Sequence, residues 1–121
     1  MILETEHFKL NEIRCPCEKC DPVVNEEHLI RMQLLRYEFG KPIIVNSWHR
    51  CKEYNDTLPG SSDKSQHITG NATDIRIWQY SKIDQFNLLE LSFKHGFKGI
   101  GIYSGYLHLD SRSIPSYWLQ P

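Results

Sequence analysis

His67 and Asp74 are separated by six residues that include Gly70, and His108 follows later in the chain. Two imidazoles and a carboxylate make the donor set of a catalytic zinc site, which takes three nitrogen or oxygen ligands and keeps a fourth position for water. A turn through Gly70 brings His67 and Asp74 toward one ion, and His108 completes the set. A histidine that only hydrogen-bonds inside a strand has the same local pattern. Cys15, Cys17 and Cys20 fall close together, with Cys51 as a fourth thiol. Near neighbours are awkward disulfide partners, so this group reads as a structural tetrathiolate metal site, with free thiols or a disulfide as the alternatives.

The elements that must position these residues follow from periodicity and punctuation. Asn25 before Glu26-Glu27 is an N-cap signal, and Leu29, Ile30, Met32, Leu34, Leu35 and Phe39 give a helix with an apolar face that ends at Gly40. Ile43-Ile44-Val45 after Pro42 predicts a buried strand that delivers Asn46 to Arg50 at its end. Pro59, Gly60, Ser61 and Ser62 mark Tyr54 to Lys64 as a loop at the rim. From Ala72 to Trp78 the chain alternates, with Asp74 on the side opposite Ile75 and Ile77. Ser81 with Asp84 opens a second helix through Phe86, Leu88, Leu89 and Phe93, stopping at Gly96. Ser104-Gly105 separates two strand-like runs, Gly99 to Tyr103 and Tyr106 to Asp110, as a two-residue hairpin turn does. His108 and Asp110 then share a face. The order helix, strand, loop, strand, helix, hairpin predicts an α+β domain around an antiparallel sheet, with 1–121 as a single domain.

Composition narrows the function. Hydrophobic residues at 40% and charged residues at 24% are those of a folded domain. A net charge of -1 offers no general basic field for nucleic acid, and no run approaches a membrane span. The start, Met1 to His7, lacks the basic and apolar regions of a signal peptide, which predicts a chain made in the cytoplasm. No coiled-coil pattern argues against a monomer.

Three segments in order resemble the motifs of the M15 family of zinc D-Ala-D-Ala carboxypeptidases and L-alanyl-D-glutamate endopeptidases, including small phage-type members. They are Ser65-x-His67 leading to Asp74, Ser47-Trp48-His49-Arg50 with Asn55, and Gly99-Ile100-Gly101-Ile102-Tyr103 leading to His108-Leu109-Asp110. The likeness runs from about Phe8 to Trp118. It implies a hedgehog/DD-peptidase-like fold, with a central antiparallel sheet flanked by helices. It also implies zinc on His67, Asp74 and His108, and a zinc-activated water that hydrolyses peptidoglycan stem peptides. Arg50 and Ser65 match substrate-holding positions, and a guanidinium fork suits the carboxylates of muramyl peptides. Pairing of Arg50 with Asp110 or Glu53 is the structural alternative. Several family members carry an acid three positions before the last histidine ligand, where this chain has Gly105. Asp110 then becomes the expected general base, or else the residue that orients a histidine ligand. His49 is expected to stabilise the oxyanion or to pack over the site. Trp48, Trp78, Tyr103, Tyr106, Tyr117 and Trp118 supply aromatic faces for a groove. The absence of a signal-peptide pattern fits a phage lysin released to the wall through another protein's pore, the preferred reading, or a virion component or a cytoplasmic muropeptide-recycling enzyme. A zinc-binding cell-wall or protein recognition module without catalysis is the alternative function, motivated by Gly105. A purely structural metal domain would instead close its site with four protein ligands.

Overall fold

A computed structural model describes residues 2–120; Met1 and Pro121, the two ends of the expected 1–121 domain, lie outside the described residues, as does the first residue of the leader reading. The elements in chain order are α1 (Leu10–Ile13), α2 (Glu26–Phe39), β1 (Val45–Ser47), α3 (Lys52–Asp56), a 3-10 turn (Gln66–Thr69), β2 (Ala72–Arg76), α4 (Lys82–Lys94), β3 (Gly99–Tyr103), β4 (Tyr106–Asp110) and β5 (Ser116–Gln120). The Asn25 side chain accepts from the His28 amide at 2.9 Å, and Gly40 ends α2 with φ 74°. Ser81 caps α4 through the Asp84 amide at 3.2 Å. Both long helices therefore begin at the capping residues that their sequences signal, each satisfying an amide with no intrahelical partner.

One sheet in the order β1-β2-β4-β3-β5 carries the molecule. The expectation of an antiparallel sheet holds for β1–β2, β2–β4 and β3–β4, but β5 runs parallel to β3. Three more differences have physical reasons. The first strand lies two residues later than its β-branched run, because Ile43 and Ile44 precede the ladder and the Ile44 carbonyl accepts from the Arg76 amide at 2.9 Å. The rim contains α3, which the Pro-Gly-Ser composition downstream obscures. Ile30, Leu34, Phe86 and Phe93 are exposed, since one turn of helix presents only part of its apolar residues to a neighbour. His28, Leu29, Met32, Gln33, Leu35 and Phe39 form the buried stripe of α2.

Alternation along the strands sorts the sheet into two faces. Ile75, Ile100, Leu107 and Leu109 join the α2 and α4 side chains in the hydrophobic core. Asp74, His108, Asp110, Gly99 and Gly101 take the opposite face. Registered partners form one row across all five strands, Ser47 to Asp74, Asp74 to His108, His108 to Gly101, and Gly101 to Trp118. Residues distant in sequence thus meet because the register has a period of two and the core fixes its phase.

Beneath the row, His28 is fully buried, with Nδ1 2.7 Å from Ser111 Oγ and Nε2 2.9 Å from Thr73 Oγ1. Its ring packs edgewise on Trp48 and Phe97. Burial lowers its pKa to about 3; the Asp110 charge opposes this, and Arg31, His108 and His67 reinforce it. An unfolded histidine titrates near ~6.5, so the unfolded chain binds the extra proton between there and the folded value. Stability from His28 is complete above that upper limit and falls as pH drops, by roughly 1.4 kcal/mol per pH unit. Urea midpoints at pH 7 and pH 5 should fall further for the native chain than for His28→Gln, although the variant starts less stable. Equal acid sensitivity of the two proteins would remove His28 as the cause.

Candidate active site

The segment Trp48 to Arg50 fixes His67 through the backbone. His67 Nδ1 lies 2.6 Å from the Trp48 carbonyl, and the Arg50 amide donates to the His67 carbonyl at 3.1 Å. Trp48 is itself pinned in the core, its Nε1–H donating to the Gly70 carbonyl at 3.2 Å and its ring meeting Phe8 and His28. The Ser65 hydroxyl caps the 3-10 turn by accepting from the His67 amide at 3.2 Å. A carbonyl only accepts, so the proton of a neutral His67 resides on Nδ1 and the lone pair on Nε2. That nitrogen is buried without a hydrogen-bond partner, 3.2 Å from Asp74 Oδ2.

His108 reaches Asp74 from the neighbouring strand, Nδ1 to Oδ1 at 2.8 Å, while its Nε2 is 2.7 Å from Asp110 Oδ2. Asp110 is fully buried. Arg112 clasps it through Nε at 2.8 Å and Nη2 at 2.7 Å, and the Arg112 amide adds a third contact at 3.1 Å. The Asp110 carboxylate thus holds the Nε2–H of His108 and turns Nδ1 toward Asp74. Two glycines make room for this. A Cβ on Gly99 would lie 1.9 Å from Asp110 Oδ1, and one on Gly101 would lie 2.3 Å from Trp118 Cε2. Trp118 tilts over His108 at 5.1 Å between ring centroids, and its Nε1–H donates to the Tyr103 hydroxyl at 2.9 Å.

Burial alone would raise the Asp74 carboxyl, but hydrogen bonds from His108 and His67 outweigh it and hold the group well below the usual carboxylate range. Burial would likewise lower His108, yet Asp110 and Asp74 raise it. The Asp110 carboxyl also lies low, because Arg112 and His108 overcome the effect of burial. Both histidines face Asp74, His67 through Nε2 at 3.2 Å and His108 through Nδ1 at 2.8 Å. The ligand atoms of His67, Asp74 and His108 lie within 4.8 Å of one another. A lone pair on a partnerless buried nitrogen beside a carboxylate is the arrangement a metal ion relieves, and imidazole with carboxylate suits zinc.

The three residues open onto a cleft of about 480 Å³. Arg50, Ser65, Tyr103, Tyr106, Arg112 and Trp118 line it, with the rim from Leu58 to Ser62. Arg50 makes no ion pair among the described residues, neither with Asp110 nor with Glu53, and its buried Nε lacks a partner. Burial and the Asp74 charge push the Tyr106 phenol up to about 12, so it stays protonated and able to donate at neutral pH. Tyr103 stacks on it at 4.2 Å. Of the other aromatics, Trp48 is core and Trp78 stacks under Arg76. Neither His49 nor Asp110 lines the cleft. His49 is buried with Nδ1 3.5 Å from the Val23 amide. Sequence spacing had not singled out Arg112, whose sole signal was its position two residues beyond Asp110.

Residues 6–110 match the family model described as Peptidase M15. The chain belongs to the peptidase M15 family. Peptidases of this family are zinc-dependent, and in this M15 chain the His67, Asp74 and His108 cluster lies within the matched residues. The match ends before β5, so Trp118 lies outside it. No curated protein matches the chain.

In zinc competition titrations, Asp110→Ala should weaken binding about 10–100-fold, since an unheld histidine must be ordered on binding. Gly99→Ala should weaken it in the same direction by displacing the carboxylate. Unchanged affinity in both variants would show that Asp110 does not orient His108.

Proposed function

We propose that this M15 chain is a zinc peptidase that hydrolyses peptidoglycan stem peptides, with the substrate carboxylate held by Arg50 beside the His67, Asp74 and His108 cluster. The observation that carries the reading is a guanidinium with no acidic partner among the described residues, facing the same cleft as that cluster. Stem peptides present a free carboxylate close to the bonds that wall peptidases cut, and a planar fork is matched to it. Zinc held there supplies Lewis acidity that polarises a carbonyl and makes water acidic enough to ionise near neutrality.

The chain's own residues do the rest. His67 presents Nε2 because Trp48 occupies Nδ1, and His108 presents Nδ1 because Asp110 occupies Nε2. Arg50 fixes the peptide by its carboxylate, and the Ser65 hydroxyl supplies a further polar group at the cleft wall. Tyr106 offers a phenolic proton to the carbonyl oxygen as negative charge develops, with its ring steadied by Tyr103. Trp118 covers His108 and excludes water from that side. Asp110, buried and occupied through both oxygens, acts as a positioning residue in this reading rather than as the base. His49 serves by packing. A second reading is favoured by one observation: among the described residues, Asp74 is the only acidic side chain lining the cleft. A recognition module that binds the same peptides without cutting them would need no further acid.

Digestion of purified peptidoglycan and defined muropeptides by the zinc-loaded protein, with products identified by mass, separates the two readings. Release of terminal D-Ala, or a cut between L-Ala and D-Glu, that disappears in His108→Ala supports the peptidase. Retention of intact muropeptides without cleavage supports the module. Arg50→Ala should lower kcat/KM by roughly 10–100-fold, because one charge-assisted contact is lost. Tyr106→Phe should lower kcat by about 100-fold or more with zinc content unchanged, as removal of an oxyanion donor does. A kcat equal to that of the native chain would exclude the phenol from this role.

A further inference from the structure

The four cysteines lie away from the cleft and take no part in the reaction described above. Their sulfur atoms all fall within 4.8 Å of one another. Cys15 and Cys51 are 3.7 Å apart, Cys17 and Cys20 3.5 Å, and Cys17 and Cys51 3.8 Å. A disulfide brings its sulfurs to about 2.05 Å, so these spacings belong to four separate thiols. They do match a tetrahedron. With zinc–sulfur bonds of about 2.3 Å, the edge of a tetrathiolate site is about 3.8 Å long.

The backbone around the cluster is arranged for negative sulfur. The Cys51 amide donates to Cys15 Sγ at 3.4 Å, and the Lys19 amide donates to Cys17 Sγ at 3.4 Å. Amide donors aimed at sulfur stabilise a thiolate and orient it, as outer-shell hydrogen bonds do at metal sites. Between Cys17 and Cys20, Glu18 has φ 59°, the only positive φ of a non-glycine residue among the described residues. That left-handed residue folds the loop back so that Cys20 meets Cys17, and such a backbone persists where its surroundings hold it.

We infer that Cys15, Cys17, Cys20 and Cys51 bind a second zinc ion in a closed, four-sulfur structural site. With all four positions filled by protein there is no place for water, so the ion holds chain segments together and performs no hydrolysis. The segments it joins are the 15–20 loop and the N-terminal end of α3. Cys51 follows Arg50 directly, and the His49 amide donates to the Ile13 carbonyl at 2.9 Å on the other side. The second ion therefore anchors the strand end from which Arg50 enters the cleft. This last consequence rests on the reading of Arg50 given above, whereas the site itself does not.

The test is metal content of the full chain purified under reducing conditions, followed by replacement of zinc with cobalt. The native chain should carry about two zinc ions, and the combined variant His67→Ala, Asp74→Ala, His108→Ala about one. Cobalt in that variant should give the strong visible and sulfur-to-cobalt charge-transfer absorption of a tetrahedral thiolate complex. Cys17→Ser with Cys20→Ser should lose that absorption and keep the other ion; the triple variant decides the matter even if the serine variant does not fold. A metal-free triple variant, a cobalt spectrum without sulfur bands, or cysteines that resist alkylation until reduced would each overturn the inference. Failure of the peptidase reading alone would appear instead as two bound ions with no cleavage.

Discussion

The hold of Asp110 on His108 is the constraint around which the cleft is organised. A buried carboxylate clasped by Arg112 is poor evidence for stability, since removing both charges from water costs about as much as their attraction returns. Its value here is orientation. With one imidazole nitrogen fixed by Asp110, the other must face Asp74, and the position of His108 on β4 places that nitrogen opposite His67. Gly99 and Gly101 follow from the same constraint, because any side chain there would occupy the space of the Asp110 carboxylate or the Trp118 ring.

His67 is set by a second, independent device. The Trp48 carbonyl takes its Nδ1, and Trp48 is locked by aromatic neighbours in the core and by Gly70. The two histidines therefore enter from different parts of the fold, one from a turn and one from a strand, and Asp74 lies between them. For Asp74 and His108, core packing on one face of the sheet is converted into donor placement on the other through strand register. Rigid support of this kind fixes donor geometry before any ion arrives, so little ordering remains to be done on binding.

Much of this was legible in the sequence, for identifiable reasons. Asn25 and Ser81 marked both long helices because capping is local chemistry. The Ser104-Gly105 turn set the hairpin and with it the shared face of His108 and Asp110. Asp74 was separable from Ile75 and Ile77 by alternation alone. What remained hidden depended on tertiary contacts. β5 pairs in parallel with β3 across a chain segment without a hairpin signal, so Trp118 was legible as a groove aromatic but its place over His108 was not. Exposure of Phe86 and Phe93 depends on where α4 sits, which its composition does not encode. Asp110 was legible as a base or as the holder of a histidine ligand because it shares a face with His108; its burial and the clasp of Arg112 depend on tertiary contacts. The burial of His49, whose Nδ1 accepts from the Val23 amide, likewise depends on tertiary contacts.

The most direct measurement is a crystal structure of the zinc-loaded protein with anomalous scattering recorded at the zinc edge. The account predicts density bounded by His67 Nε2, an Asp74 carboxylate oxygen and His108 Nδ1, with a fourth position open toward Arg50 and Tyr106 and with Asp110 still bound to His108 Nε2 and Arg112. Zinc on His108 Nε2 with Asp110 as a direct ligand would contradict it.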